Sequence, residues 1–217
     1  MALSKIDVAN MLTGEIPNAN VATVGVAKGG TGLTSGTSGQ FLKFTGSTTL
    51  ASAAGAGITE ADNWRLTTSF QLDGATTPLV NNLERVDGTG QGYMGTGMSV
   101  SSGIWTFPST GIWRVDSNFV SYGQAGGVAQ CRIVIQATTN DSTYTDIAAQ
   151  HQANSAASYF ASGNANTILD VTDTSNVKVR FSVQSSANAN WQGSSAMTFC
   201  GFMFIRLGDT QNGKHNT

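Results

Sequence analysis

The sequence predicts an all-β sandwich, and three observations point to it. Short runs of alternating apolar and polar residues recur along most of the chain, with turn residues between them at intervals of roughly 8 to 12. The stretch Ile104 to Val120, IWTFPSTGIWRVDSNFV, sets an aromatic strand, a Pro-containing turn and a strictly alternating strand side by side. The stretch Thr198 to Leu207, TFCGFMFIRL, is apolar on both faces. A strand of that kind must be covered on both sides, so it is central.

At the N-terminus, Ser4-Lys5-Ile6-Asp7 has capping-box spacing, and Val8, Met11 and Leu12 follow at helical intervals. A helix of two turns seldom holds alone in water, so Ile6, Val8, Met11 and Leu12 are expected to bury against a partner. From Gly14 to Gly57 the chain is rich in Gly, Ser and Thr and has the composition of a linker. Val24, Val26, Phe41, Leu42, Phe44 and Leu50 recur too often for a passive spacer, however, and Gln40 to Phe44 is a short strand candidate. Three chains wound together would bury such side chains better than one, with glycines permitting close approach at the axis.

The head begins near Asn63-Trp64, giving an expected division into residues 1–61, a head domain over 62–208 and a polar tail over 209–217. Within the head, strands are expected over Thr67 to Leu72, Leu79 to Val86, Tyr93 to Val100, Ile104 to Phe107, Gly111 to Tyr122 and Val128 to Thr138. Further strands are expected over Tyr144 to Ala149, Ala157 to Ala161, Asn166 to Val171, Val177 to Gln184 and Ala196 to Leu207. The Ile104 to Val120 stretch is expected to form a hairpin-like corner, with Trp113, Val115, Ser117 and Phe119 on the core face. Asp87 to Gly92 is a glycine-dense loop, but it lacks the Lys and following helix of a phosphate cradle.

Only 11% of residues are charged and the net charge is −2, against roughly 25% charged for an average soluble protein. With no basic cluster, a nucleic-acid partner is excluded. No apolar run approaches the roughly 20 residues of a membrane span, so no membrane insertion is expected. Cys131 and Cys200 both fall in strands; two buried free thiols are the expectation, and a disulfide stays open because spacing does not fix whether those strands are neighbours. His151 and His215 lie in an expected loop and tail, without triad or zinc spacing. Asp170 and Asp173 are explained by a strand-end turn rather than by a carboxylate pair across a cleft. The expectation is therefore no enzyme, no catalytic residue and no cofactor.

The order of an aromatic strand ending in F-P-S-T-G-I-W, a D-x-x-x-V-K-V strand from Asp173 to Val179 and a terminal F-x-G-F-x-F strand resembles the complement globular-head and tumour-necrosis-factor jelly-roll superfamily, over residues 63 to 208. The resemblance implies a jelly-roll β-sandwich head and a homotrimer. It also implies that Phe199, Phe202 and Phe204 of the doubly apolar strand lie at the trimer interface. Some members hold calcium near the trimer axis, and Asp87, Asp141, Asp146 and Asp173 fall in expected turns. No ligand loop of calcium type is visible, so no metal is expected.

Val26-Ala27-Lys28-Gly29-Gly30-Thr31-Gly32, with Gly39-Gln40-Phe41-Leu42 after it, resembles the V-A-x-G-G-T-G segment of fibre proteins of tailed bacteriophages, as does the opening Leu3 to Pro17. This implies an extended, Gly-rich N-terminal trimerisation and attachment segment that docks on other virion proteins through Ile6, Val8, Met11 and Leu12. The expected function is a non-enzymatic trimeric virion fibre or spike subunit whose head binds a host-surface glycan or protein. The alternative is a purely structural virion component such as a capsid, collar or tail decoration. Aromatic rings beside amides suit sugar recognition, which makes Tyr144, Tyr159, Phe160 and Trp191 the expected receptor-binding residues.

Overall fold

The computed structural model describes residue 33 and residues 36–47, 49–53, 57–124 and 126–210. The N-terminal helix and its Ile6, Val8, Met11 and Leu12, the glycine-rich stretch 26–32 and His215 lie outside the described residues. Contacts divide the chain into two units, residues 1–56 and 57–217. In the first unit β1 (Phe41–Gly46) and β2 (Thr49–Ala53) form an antiparallel hairpin in which Phe44 faces Leu50.

The second unit is a jelly-roll sandwich of two antiparallel sheets. The larger contains β3 (Ala61–Leu66), β4 (Thr68–Leu72), β6 (Leu83–Arg85), β9 (Gly111–Gly123), β12 (Phe160–Val171), β14 (Ala189–Ser194) and β15 (Gly201–Gly208). At its centre β9 pairs along its full length with β12 on one side, and with β15 and then β14 on the other. The smaller sheet contains β5 (Thr76–Pro78), β7 (Ser99–Ser101), β8 (Ile104–Thr106), β10 (Val128–Thr138), β11 (Thr145–Asn154) and β13 (Lys178–Ser185), with β13 joining β10 to β8 and β5. No helix occurs among the described residues.

Alternation places the apolar rows as the sequence indicates. Trp113, Val115 and Phe119 of β9, Cys131, Ile133 and Ile135 of β10, and Val179, Phe181 and Val183 of β13 are all buried in one core. At its centre Trp105, fully buried, touches both sheets. Its ring lies 4.8 Å from Trp64 in an edge-to-face contact, 5.0 Å from Phe204 and 6.0 Å from Phe181. Such offset and edge-to-face pairs add about 0.5–1.5 kcal/mol each beyond the area they bury.

Several expectations are corrected. Ile104 to Val120 is not a hairpin: β8 pairs with β13 and β7 in the smaller sheet, whereas β9 begins the centre of the larger one. The Phe107 to Thr110 turn carries the chain between sheets, held by Trp113 Nε1 donating to the Ser109 carbonyl at 3.1 Å and Arg206 Nε donating to the Thr110 carbonyl at 2.9 Å. Gly111 has φ +146°, and a Cβ there would meet the Gly208 carbonyl, so the corner requires glycine.

Of the stretch 157–161 only Phe160 and Ala161 are strand, and they run on into 166–171 as the single strand β12, because Gly163 keeps pairing with Phe119 where a Cβ would strike its ring; Ala157 makes only a bridge to Gly123. Tyr93 to Val100 is mostly loop, joined to Ala61 only by a bridge at Met94, and Leu79 to Val86 contracts to β6. His151 lies in β11 rather than a loop, its Nδ1 2.7 Å from Gln130 Nε2.

Cys131 and Cys200 are both free and buried. Burial pushes the Cys200 thiol up to about 12, and its Sγ–H donates to the Val120 carbonyl at 3.7 Å.

Replacing Trp105 by Ala removes the ring that packs on Trp64, Phe202 and Phe204 of the larger sheet and on Phe181 of the smaller one. Urea unfolding of the Trp105→Ala variant is expected to show a loss of about 3–5 kcal/mol, read as a lower midpoint at unchanged slope.

Candidate functional site

The outward face of the larger sheet is built by the residues that alternate with the core rows. Register places Ile168 of β12, Arg114 of β9, Ile205 of β15 and Ala61 of β3 in one row across the sheet. Asn166, Asp116, Met203 and Asn63 form the next row. Ile168 is 64% exposed, Leu207 50% and Met203 36%. Between these apolar groups, Arg114 forks onto Asp116 with Nε to Oδ2 at 2.8 Å and Nη2 to Oδ1 at 2.9 Å. That pairing holds the Arg114 guanidinium above its ordinary range and leaves the middle of the face without a free charge.

The N-terminal end of this face is closed by the glycine-dense loop. Tyr93 and Met94 of the loop, with Ala61, Asn63, Met203 and Ile205 of the sheet, line a depression of about 370 Å³. Two carboxylates from the start of β3 hold the loop: Glu60 Oε2 accepts from the backbone N–H groups of Thr96 (2.9 Å) and Gly97 (3.1 Å), and Asp62 Oδ2 from that of Met98 (2.7 Å).

Asp62, buried, is also forked by Arg85, with Nε to Oδ1 at 3.0 Å and Nη2 to Oδ2 at 3.1 Å. Arg85 in turn donates to the Met98 carbonyl at 2.8 Å and lies over the rings of Trp64 and Tyr93. At Gly97, φ is +74° and a Cβ would meet Arg85 and Asp62. Gly95, φ +77°, is held the same way, since a Cβ there would meet Glu60.

The expected recognition residues separate. Tyr159 and Phe160 are 63% and 68% exposed at the turn entering β12, where Phe160 meets Tyr122 edge-to-face at 5.6 Å. Buried Asn154 fixes this turn, its Nδ2 donating to the Tyr159 carbonyl at 2.7 Å and to the Ser121 carbonyl at 3.2 Å. Tyr144 is half-buried under Arg180, whose guanidinium lies 4.2 Å from the ring centroid, and desolvation raises its phenol pKa. The Tyr144 ring is thus already stacked.

Trp191 is corrected outright. It sits on β14, fully buried, with its ring 5.1 Å from Phe119, so it is core and offers no receptor surface. Phe202 and Phe204 are corrected likewise, because both are buried inside the sandwich against Trp105. Phe199 is half-buried, its carbonyl accepting from Asn118 Nδ2 at 2.7 Å. The row of this strand that faces outward is Met203, Ile205 and Leu207.

Asp173 organises a turn, accepting from the Ser175 N–H and from Asn176 Nδ2, both at 2.7 Å. The Ser175 bond, chiefly, lowers its pKa. Asp87 pairs with Arg65 and Asp146 with Arg132. Among the described residues, no three His, Cys, Asp or Glu side chains are grouped to hold a metal. What the outward face and the Tyr159–Phe160 turn offer chemically is contact: apolar area, stacking rings and neutral amides.

No protein-family model matches the chain, and no curated protein matches it in sequence. Solved structures match it in fold. Murine APRIL, crystallised at pH 5.0, is similar over 68% of this chain and 98% of its own, at 10% identity and a TM-score of 0.50. Eiger TNF from S. frugiperda is similar over 74% of this chain and 100% of its own, at 10% identity and a TM-score of 0.51. The PRD1 vertex protein P5 aligns over 70% of this chain and 100% of its own, at 13% identity and a TM-score of 0.44.

Replacing Asp62 by Ala leaves Arg85 without its buried partner and frees the Met98 N–H. Amide hydrogen exchange at Met98 in the Asp62→Ala variant is expected to accelerate at least tenfold relative to the β9 core, with a global loss of about 3–5 kcal/mol.

Proposed function

With a TNF-like jelly-roll head as the premise, we propose that the chain is a non-enzymatic, homotrimeric virion fibre or spike subunit. Its N-terminal segment docks on other virion proteins, and its head contacts a glycan or protein on the host cell surface. The observation that carries the reading is the outward row Met203, Ile205 and Leu207, joined by Ile168 across the sheet. Met203, Leu207 and Ile168 stay exposed on a lone chain and Ile205 is half-buried between them, and large uncovered apolar patches mark interaction sites.

The resemblance of the head to the TNF jelly-roll superfamily supports three copies meeting through this face. The paired Arg114 and Asp116 let the face pack without an unbalanced charge. The V-A-K-G-G-T-G segment supports a fibre or spike of a tailed phage.

Recognition falls to Tyr159 and Phe160, which present two rings on a turn fixed by Asn154. One such site is small and weak. Three on one rigid trimer bind together, which raises apparent affinity by about 10²- to 10⁴-fold when the geometry lets them engage at once. The alternative of a purely structural virion component is favoured by one observation: Trp191 is buried and Tyr144 is already stacked on Arg180, so half of the expected recognition residues are engaged internally.

The test uses fluorescently labelled chain on intact host bacteria. Wild type is expected to bind. Met203→Glu, folded by circular dichroism but unable to bury its new charge, is expected to bind about 100-fold more weakly, and Phe160→Ser is expected to keep the trimer and lose binding. Equal binding by all three overturns the receptor role of the head. Wild type on purified particles but on no cells favours the structural component.

A further inference from the structure

The outward face of the smaller sheet gathers charge that the rest of the chain avoids. Register puts Lys178 and Arg180 of β13, Arg132 of β10, and Asp146 and His151 of β11 on it. Three of only 11 Lys and Arg residues thus share one face with a single strand carboxylate. Arg132 Nη2 donates to Asp146 Oδ2 at 3.0 Å, and Gln136 Nε2 to Asp146 Oδ1 at 2.7 Å. Gln136 Oε1 accepts from Arg180 Nε at 2.8 Å and from Ser182 Oγ at 2.9 Å. Both guanidiniums therefore converge on one Gln–Asp pair, and every acceptor atom of that pair is in use. The donors are not used up. Arg132 Nε and the Tyr144 hydroxyl are buried without a hydrogen-bond partner, a costly state unless something supplies the missing bond. Arg180, bonded through Nε, lies over the Tyr144 ring at 4.2 Å and keeps its Nη groups for a further acceptor.

An excess of positively charged donors over acceptors is complementary to a ligand that brings oxygens and negative charge. Beside Arg132, His151 faces it in register and, with Gln130, Gln152 and Ala153, lines an open depression of about 460 Å³. That volume falls within the range of about 300–1,000 Å³ of small-ligand sites. The amides of Gln130 and Gln152 offer donors and acceptors together, as sugar hydroxyls require. We propose that this face is a second ligand site, binding an acidic oligosaccharide with carboxylates along its chain. Arg132 and Arg180 take the carboxylates, and the depression at His151 takes neighbouring hydroxyls. The site lies on the opposite side of the sandwich from Met203, Ile205 and Leu207, so heads that pack through that row leave it open. It holds whether or not the Tyr159–Phe160 turn recognises a host.

The test is isothermal titration of the full chain with tetragalacturonic acid at low salt, beside its methyl ester, which keeps the hydroxyls and removes the charge. The acid is expected to bind saturably and about tenfold more tightly than the ester. Arg132→Gln and Arg180→Gln are each expected to weaken the acid about tenfold. Asp146→Asn removes the carboxylate that competes for Arg132 and is expected to strengthen binding about two- to fivefold, a gain that no loss of fold imitates. Equal binding of acid and ester, no saturable binding of the acid, or Asp146→Asn at or below wild type overturns the proposal. Loss of binding in Phe160→Ser with both Arg variants unchanged places the saccharide at the Tyr159–Phe160 turn and also overturns it. Sodium phosphate binding as tightly as the acid overturns the saccharide assignment and leaves a site for small anions.

Discussion

The structure depends on one contact set, the packing of Trp105 against Trp64, Phe181, Phe202 and Phe204. Trp105 comes from the smaller sheet, and Trp64, Phe202 and Phe204 come from the larger. The ring joins the two layers at the point where the chain crosses between them. Because Phe202 and Phe204 are consumed there, alternation leaves Met203, Ile205 and Leu207 on the other side of β15. The face available to a partner is thus fixed by what the core already uses.

The same cluster anchors the charged groups. Arg85 lies over Trp64 while it forks Asp62, so a buried carboxylate is tied to the aromatic core rather than left isolated. A buried pair of this kind adds little net stability over apolar packing, but losing one member is costly. Its structural effect is to fix the loop from Asp87 to Met98, which carries Tyr93 and Met94 to the edge of the outward face. Glycines at 95 and 97 are needed there because the carboxylates approach the backbone closely.

Much of the head was legible in the sequence. The alternation of Trp113 to Phe119, Cys131 to Ile135 and Val179 to Val183 identified core strands because period-two burial needs no tertiary knowledge. What stayed hidden depends on contacts distant in sequence. Phe107-Pro108-Ser109-Thr110 has the same turn chemistry whether it closes a hairpin or crosses between sheets, and only the pairing of β8 with β13 decides. β14, Ala-Asn-Trp-Gln-Gly-Ser, looks like a polar loop because its one large side chain, Trp191, meets Phe119 from far along the chain. For the doubly apolar terminal strand, alternation separates the two rows but cannot say which turns inward. The carboxylate latch on the glycine loop leaves a trace, Glu60 and Asp62 two residues apart ahead of Trp64, but no local rule links it to Thr96 to Met98.

The central claim is that the outward face of the larger sheet joins three heads without help from the N-terminal unit. The most direct measurement is sedimentation equilibrium of residues 57–217 alone, the unit that contacts set apart, at micromolar concentration. A mass three times that of the head chain is the predicted result. A single-chain mass over the same range contradicts the account.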